Sequence, residues 1–280
     1  MKISLNFLLW TTFVSEDQFY LFEELKNMGY DGVEIPVMDG DYEHYRKMKA
    51  ELDRLGLIAS ASTFIAPDED PMSSDPKVRA NGLAKLKDNI DKAEILGSKT
   101  LIGPVYAAHK QFELEDSIAE SFKRSAALLK EACQYAAPKG IHIGVEFLNR
   151  FEIILLNCAK DSMDYCKLVD EKNIGILYDT HHAHIEEYSI QGAFDESGSF
   201  FNHLHLSESH RGILGEGLVD WNATRNAIKS LNNYQGNIVI EAFSDDVEGL
   251  REGANRWRPL FADKLDLAKK SLDFAREVIK

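Results

Sequence analysis

The stretch HLHLSESHRGILGEG, residues 203–217, combines a short predicted strand with a loop of metal-binding and charged side chains. In the strand, Leu204 and Leu206 alternate with His203 and His205, which is the two-residue period of β structure. We therefore expect one of the two histidines to face the protein interior. Parallel α/β proteins place their catalytic groups at the carboxyl ends of strands. The stretch predicts a functional strand end, and a polar surface loop that caps a core strand is the alternative.

The loop after this strand carries groups that suit a bound ligand. Glu208, His210 and Arg211 offer acidic, imidazole and guanidinium side chains close together. Glycine has no Cβ and lets a chain approach a neighbour closely. We therefore expect the three glycines of the loop to let it fold tightly against a ligand. These glycines are Gly212, Gly215 and Gly217.

The rest of the chain repeats one pattern, which consists of an amphipathic helix, a glycine and a short apolar strand. A capping box at Ser15 opens a helix that is expected to stop at Gly29. Asp75, followed by Pro76, opens another. Further helices are predicted up to Leu55, over about 113–137 and 261–279, and from near Lys160, Thr180 and Asp220. The eight predicted strands are ISLNFLL (3–9), GVEIP (32–36), LIASAS (57–62), TLIG (100–103), IHIGVEF (141–147), NIGILYD (173–179), FNHLHLS (201–207) and NIVIEAF (237–243).

Eight strand and helix units in 280 residues indicate the α/β class and a single (β/α)8 TIM barrel. Residues 1–280 are expected to form one domain, because no linker rich in Pro, Gly or Ser interrupts the pattern. The competing architecture, an open doubly wound sheet, would need a glycine-rich dinucleotide-binding turn after an early strand. The first strand runs instead into Trp10, Thr11 and Thr12.

Composition excludes several classes of partner. The chain has 46 acidic and 32 basic residues and a formal net charge of −14, which disfavours binding to nucleic acid or to an anionic membrane surface. No stretch approaches the roughly 20 apolar residues of a membrane span, and acidic residues follow the apolar N-terminal run where a signal peptide would have its cleavage site. Three scattered cysteines, Cys133, Cys158 and Cys166, are expected to be buried or neutral thiols in a reducing cytoplasm. A neutral small molecule or a cation is the expected partner.

Four predicted strand ends carry side chains that bind metals, namely Glu146, Asp179, His205 and Glu241. Their separations of 33, 26 and 36 residues are each about one βαβ repeat of roughly 30 residues. All four are therefore expected to converge at one mouth of the barrel. Three converging carboxylates would repel one another and be driven to protonate without a bound cation. For each acid alone, the alternative is a helix cap or an ion pair with Lys or Arg.

Two glutamates, one aspartate and one histidine make a hard, oxygen-rich ligand set. It suits Mn²⁺, Co²⁺ or Mg²⁺, with Mn²⁺ as the expected ion, and leaves Zn²⁺ open. Glu152, His182 and Arg211 follow these strand ends closely and offer the donors and acceptors that a polyhydroxylated ligand needs. For His182 the alternative is a surface histidine in the run DTHHAH, 179–184.

In order and spacing these residues resemble those of the ketose 3-epimerases, the group of the sugar isomerase/epimerase (xylose isomerase-like) TIM-barrel superfamily that contains D-tagatose, D-allulose (psicose) and L-ribulose 3-epimerases. The resemblance runs the full length of the chain. It implies an isomerase with one divalent metal ion held by Glu146, Asp179, His205 and Glu241, and with Glu152, His182 and Arg211 positioning a ketose. It also implies a homodimer or homotetramer. The segments that carry it are VEFLNRFE (145–152), LYDTHHAHIEE (177–187), HLHLSESHRGILGEG (203–217) and VIEAF (239–243).

The chain also departs from the pattern of this family beside the expected sugar site. Members often have an aromatic residue in place of His181, Met-Asn in place of Ala183 and His184, and Gly in place of Ser207. None of these positions is an expected metal ligand. The departures therefore put the preferred ketose in doubt.

The implied reaction is epimerisation of a free ketose at C3 through a cis-enediolate. Inverting a carbinol carbon beside a carbonyl requires a proton to leave one face and another to arrive at the opposite face. We expect a cation that bridges O2 and O3 to stabilise the negative charge. Glu146 and Glu241 would serve as the acid/base pair and exchange roles in the reverse reaction.

Several functions other than C3 epimerisation fit the same sequence. An aldose–ketose isomerase on the same fold is the closest, and a sugar-binding barrel without turnover is more distant. A phosphosugar enzyme is disfavoured because the loop after the last strand reads FSDDVEG, 243–249, and would repel a phosphate. A repair endonuclease would need more metal-binding histidines and a basic groove, and the net charge of −14 disfavours such a groove.

Overall fold

The structure is a computed structural model that describes residues 1–231, 234 and 236–280. Its strands run parallel and pair in sequence order, and β1 also pairs with β8, so the sheet closes into a barrel. The predicted (β/α)8 TIM barrel is confirmed. The strands are β1 (Lys2–Asn6), β2 (Gly32–Pro36), β3 (Ile58–Ser62), β4 (Thr100–Gly103), β5 (His142–Glu146), β6 (Ile174–Asp179), β7 (Phe201–Ser207) and β8 (Asn237–Glu241).

The helices pack against the strands and against one another. Several of their ends follow directly from the sequence. Gly29, Gly56 and Gly97 end helices in the left-handed region, with φ of 99°, 64° and 75°, where glycine has no Cβ penalty. Asp75 caps its helix by accepting the Lys77 N–H. The helices are α1 (Tyr20–Met28), α2 (Tyr42–Leu55), α3 (Pro76–Leu96), α4 (Ile118–Ala136), α5 (Ala159–Val169), α6 (Thr180–Glu186), α7 (Ile190–Ser197), α8 (Trp221–Ser230), α9 (Leu250–Gly253) and α10 (Lys264–Val278).

The predicted helices differ from the structure at several ends. The capping box at Ser15 opens a 3-10 turn, Glu16–Gln18, and α1 begins only at Tyr20. Helix α4 begins at Ile118 and not near residue 113, because Ser117 takes an extended conformation and accepts the Glu120 N–H as an N-cap. A single helix was predicted from Thr180, but the chain forms α6 and then α7. It becomes extended at Glu187, and Ser189 caps the second helix.

The barrel interior contains polar side chains near the carboxyl ends of the strands. Glu34 on β2 and both His203 and His205 on β7 are at most 1% exposed, and both imidazoles lie 2.9 Å from the Glu34 carboxylate. The expectation that only one of the two histidines faces inward is therefore wrong. Residues two apart on a strand share one face, and that face of β7 is the barrel interior.

The three cysteines are free, with Cys133 and Cys166 buried and Cys158 half-buried. Burial raises the pKa of Cys133 to about 12 and that of Cys158 to about 11, so these thiols stay neutral, as expected. Among the described residues, no helix has both the length and the apolar character needed to cross a membrane.

Candidate active site

The four expected metal-binding residues converge at the carboxyl ends of neighbouring strands. Glu146, Asp179 and Glu241 are the last residues of β5, β6 and β8, and His205 on β7 pairs with Asp179 in the strand register. One ligand atom from each of the four lies within 4.8 Å of all the others. All four side chains are buried. The structure therefore brings together the complete set that the sequence predicted.

The Nδ1 atom of His205 points into this cluster. It lies 3.3 Å from Glu241 Oε1, 3.8 Å from Glu146 Oε1 and 3.9 Å from Asp179 Oδ2. Among the residues that the structure describes it has no hydrogen-bond partner, although it is fully buried. An unpaired imidazole nitrogen and three carboxylates together form a set of ligands that divalent cations bind. The residues present therefore fit a metal ion.

The electrostatics of the three carboxylates are unequal. Burial, and next the negative charge of Glu241, raise the pKa of Glu146 well above its usual value. Burial likewise raises the pKa of Asp179. For Glu241 burial acts in the same direction, but the positive charges of His205 and Arg211 outweigh it and lower the pKa. Gathering this much negative charge out of water is costly, and a bound cation would offset the cost.

Arg211 lies in the middle of the carboxylates. Its Nη1 donates to Asp179 Oδ2 at 2.7 Å and to Glu241 Oε2 at 2.5 Å. Its guanidinium carbon is 4.8 Å from the ring centre of Phe243, and its backbone has φ of 62°. A left-handed conformation is uncommon for a residue with a side chain and costs free energy. The turn thus holds the guanidinium against the acidic cluster.

His182 is fully buried, which rules out the surface-histidine alternative. Its Nδ1 accepts the Asn149 N–H at 3.0 Å, and Arg211 Nη2, which can only donate, lies 2.7 Å from its Nε2. Burial, and next the charge of Arg211, lower the pKa of His182 well below its usual value, which keeps the ring neutral. Nε2 also lies 3.8 Å from Glu146 Oε1, so the His182 ring and the Arg211 guanidinium lie side by side next to Glu146.

Glu152 lies on the same side of the cavity, and it brings in a residue that the sequence did not single out. Its carboxylate accepts Asn149 Nδ2 at 2.8 Å and lies 3.3 Å from His109 Nε2. Burial would raise the pKa of Glu152, but the hydrogen bond with His109 and the positive charge of Arg211 lower it. His109 lies in the loop after β4. The pattern of ionisable residues at predicted strand ends did not include this strand.

The loop after β7 is organised by protein side chains, which corrects the role expected for its glycines. A Cβ on Gly212 would lie 2.9 Å from His210 Nδ1, one on Gly215 would lie 2.4 Å from the Phe274 ring, and one on Gly217 would lie 2.4 Å from Glu208 Oε1. The glycines therefore make room for neighbouring side chains and not for a ligand. The buried Glu208 carboxylate holds the loop by accepting Ser209 N, Gly215 N, Val219 N and Trp221 Nε1.

Gly217→Ala is expected to destabilise the chain. The added methyl group would overlap Glu208, whose bonds fix the loop that carries Arg211, and such overpacking costs about 1–3 kcal/mol. Urea unfolding monitored by circular dichroism measures the loss. Gly192→Ala is the matched control. Gly192 lies inside α7, where an added Cβ would come no closer than 3.3 Å to a neighbouring atom, Ser189 Cβ. Alanine also favours a helix. Equal free energies of unfolding for Gly217→Ala and the parent chain would contradict this account.

The cavity at this mouth has a polar end and an apolar wall. Glu146, Glu152, His182, His205, Arg211 and Glu241 form the polar end, and Leu8, Met38, Ile102 and Phe243 are among the apolar lining residues. The loop after β8 lines the opening through Leu250 and Ala254. Lys110 ties this loop to the loop after β4 by donating to Glu252 O at 2.5 Å and to Asn255 Oδ1 at 2.8 Å. A mostly apolar cavity with a few convergent polar groups is typical of a small-molecule site.

The departures from the family pattern differ in their distance from this site. Ser207 Oγ lies 3.0 Å from Arg211 Nη1, and the buried His181 ring lies 3.2 Å from the Glu208 carbonyl. His184 is exposed. Ser207 therefore touches an expected substrate-binding residue directly, whereas His184 does not face the cavity.

Comparison with known proteins gives the family. Residues 22–277 match the family model described as xylose isomerase-like TIM barrel. A ketose 3-epimerase of Arthrobacter globiformis is 32% identical over 280 residues, which cover 99% of this chain and 96% of that protein. The chain belongs to the ketose 3-epimerase family of xylose isomerase-like TIM barrels. It is therefore an enzyme of the isomerase class, as the resemblance implied.

Two further members of the ketose 3-epimerase family support this assignment. An L-ribulose 3-epimerase of Methylomonas sp. (strain DH-1) is 32% identical over 251 residues, 89% of this chain and 87% of that protein. The crystal structure of D-psicose 3-epimerase with D-tagatose from Clostridium cellulolyticum H10 superposes with a TM-score of 0.93 at 27% identity and covers 100% of both chains. The similarity in fold therefore extends over the whole barrel.

Proposed function

We propose that this enzyme inverts C3 of a free, non-phosphorylated ketose with the help of one divalent cation. The observation that carries the proposal is the convergence of Glu146 and Glu241 with Asp179 and His205 at the polar end of the cavity. The family relationship supports it, because relatives named ketose 3-epimerase and L-ribulose 3-epimerase match nearly the whole chain. Among the site residues described above there is no serine or cysteine nucleophile paired with a base.

Glu146, Asp179, His205 and Glu241 would hold the cation. Three carboxylates and one imidazole form a hard ligand set, for which we propose Mn²⁺, with Co²⁺ or Mg²⁺ as alternatives. When bound, the ion supplies Lewis-acid stabilisation of the negative charge that develops on the ketose oxygens. The unpartnered His205 Nδ1 supports this role.

Glu146 and Glu241 would move the protons. They extend from β5 and β8, which are three strands apart in the closed barrel, so they can flank a carbon bound between them. One carboxylate takes the C3 proton and the other returns a proton to the opposite face, and the roles exchange in the reverse direction. Because both side chains are buried, bulk water would not compete for the reacting carbon.

Glu152, His182 and Arg211 would position the sugar. The His182 ring and the Arg211 guanidinium lie side by side next to Glu146, where the carbonyl or hydroxyl oxygens of a ketose could bind to them. Glu152 would accept a hydroxyl proton on the same side. A free sugar fits better than a phosphate ester because Arg211 is already neutralised by Asp179 and Glu241.

The reaction is tested by running it in deuterated water. D-fructose, D-tagatose, D-psicose and L-ribulose are each incubated with the Mn²⁺-loaded enzyme, and the products are examined by NMR. We expect a ketose epimeric at C3 that carries deuterium at C3, because the returned proton comes from a carboxylate that exchanges with solvent. Enzyme treated with a chelator is the control.

The second candidate is an aldose–ketose isomerase, which the xylose isomerase-like family description favours. It would yield an aldose product without deuterium at C3, and this outcome would replace the epimerase proposal. No reaction with any of the four ketoses and any of the three metals would favour a sugar-binding barrel without turnover.

We also propose a cytoplasmic homodimer or homotetramer. Three free thiols suit a reducing compartment, and the family resemblance supports the assembly.

A further inference from the structure

The buried Glu34 on β2 lies directly beneath the proposed metal site and has no role in the mechanism above. Both of its carboxylate oxygens are fully occupied. Oε1 accepts Asn6 Nδ2 at 3.0 Å and lies 2.9 Å from His205 Nε2. Oε2 accepts Ser60 Oγ at 2.8 Å and lies 2.9 Å from His203 Nε2. Four polar neighbours that can donate surround its two oxygens, which suits an ionised carboxylate, a group that only accepts.

Contact with Glu34 determines which nitrogen of His205 can bind a metal. A metal binds a histidine through a nitrogen lone pair, so in the metal-bound state the ring has one N–H and one lone pair. Nε2 lies 2.9 Å from the negative Glu34 carboxylate, although without the alignment of a hydrogen bond. A proton kept on Nε2 by this charge leaves the lone pair on Nδ1, which faces Glu146, Asp179 and Glu241. A metal-binding histidine whose second nitrogen meets a carboxylate has a fixed ring orientation and is a stronger ligand.

Asn6 extends the same network to a second proposed ligand. Its Oδ1 accepts the Leu8 N–H at 2.8 Å, and because a backbone N–H can only donate, the orientation of the amide is fixed. Asn6 Nδ2 must therefore face the carboxylates, and it lies 3.0 Å from both Glu34 Oε1 and Glu241 Oε1. One amide group thus links Glu34 to Glu241.

We propose that Glu34 is a positioning residue that fixes the tautomer and orientation of His205 and, through Asn6, the orientation of Glu241, and so sets the affinity of the site for its divalent cation. The proposal rests on the metal site described above. Its basis is that Oε1 of a single buried carboxylate reaches two of the four ligands, one directly and one through a single amide.

The test measures metal binding and not activity. Metal-free Glu34→Gln is titrated with Mn²⁺ and with Co²⁺ by isothermal calorimetry, and its melting temperature is recorded without metal. Loss of such an outer contact typically weakens metal binding by about 10–100-fold, and we expect a loss in this range. Glutamine keeps the shape but replaces one acceptor oxygen with an NH2 donor, so the metal-free melting temperature should also fall, and the change in metal affinity is the deciding measurement. The visible spectrum of the Co²⁺-saturated variant should also differ from that of the parent, since the imidazole is no longer held in place.

Ser60→Ala is the matched control. Ser60 donates to the other Glu34 oxygen, Oε2, so its removal disturbs the same buried network without freeing His205. Its metal affinity should stay within about threefold of the parent. If Glu34→Gln does not fold, Asn6→Ala provides the second measurement, with weaker metal binding expected because Glu241 is no longer oriented.

The outcomes separate this proposal from the proposed function. If the parent chain binds no divalent metal, the metal site itself is wrong. If the parent binds metal and Glu34→Gln binds it equally well with the same Co²⁺ spectrum, the metal site stands and the role of Glu34 is wrong. A fall in melting temperature with unchanged affinity would show that Glu34 only supports the fold.

Discussion

Glu241→Gln and Glu146→Gln are each expected to reduce kcat for C3 epimerisation by at least about 10³-fold, near the upper end of what general acid–base catalysis contributes. Each substitution would remove both a proposed proton carrier and a proposed charged metal ligand. The fold should persist, because glutamine has the same shape and both positions are buried at the ends of well-paired strands. Initial rates with each epimer, measured at saturating Mn²⁺, test the prediction.

Isotope exchange distinguishes the proton-transfer role from metal binding alone. If each glutamate serves one face of C3, a variant that lacks one carboxylate keeps the base for the other face. In deuterated water it should exchange the C3 proton of one epimer slowly, without forming the other. Glu146→Gln and Glu241→Gln should differ in which epimer they exchange.

The matched control for both variants is Glu187→Gln. Glu187 is half-buried and accepts the Ala159 N–H at 2.7 Å, and it does not line the cavity. Its variant should epimerise at the parental rate. Full activity in Glu146→Gln or Glu241→Gln would remove that residue from the reaction, and exchange of the same epimer by both variants would contradict the two-face arrangement.

Much of the fold was predictable because its signals are local. Left-handed glycines such as Gly29 and Gly56 end helices where they stand in sequence, and Asp75 caps α3 through its own side chain. The beginning of α4 was predictable in the same way but was missed. Ser117 and Glu120 have the Ser-x-x-Glu spacing of a capping box, and Ser117 accepts the Glu120 N–H as the N-cap.

The metal cluster was predictable because a closed barrel brings all strand ends to one mouth, so spacing alone places Glu146, Asp179, His205 and Glu241 together. Contacts across the interior were not predictable. Glu34 meets His203 and His205 from a strand 169 residues away along the chain. Its only signal was an ionisable residue in the otherwise apolar strand GVEIP. The loop glycines were misread for a similar reason, because Gly215 packs against Phe274 in the last helix.

Removal of the metal is expected to abolish epimerisation and to lower the thermal stability of the enzyme. Without a cation, the carboxylates of Asp179 and Glu241 have Arg211 and His205 as their counter-charges in the described part of the chain. The buried Glu146 is driven to protonate. A ligand that binds only the folded state stabilises it by about 2.7 kcal/mol at 100 times its Kd. For a chain of this size that corresponds to a rise in Tm of about 5–10 °C.

The experiment compares enzyme dialysed against a chelator with the same sample after one equivalent of Mn²⁺ is restored. Activity should return with the metal, and Tm should rise with Mn²⁺ concentration. In Asp179→Asn one ligand charge is lost, so the Mn²⁺-dependent rise in Tm should shrink even where the metal-free protein remains folded. A chelated enzyme with full activity, or a Tm that does not respond to any of Mn²⁺, Co²⁺ or Mg²⁺, would mean that the four residues converge for another reason. Arg211, which already bridges Asp179 and Glu241, would then be the charge that balances them.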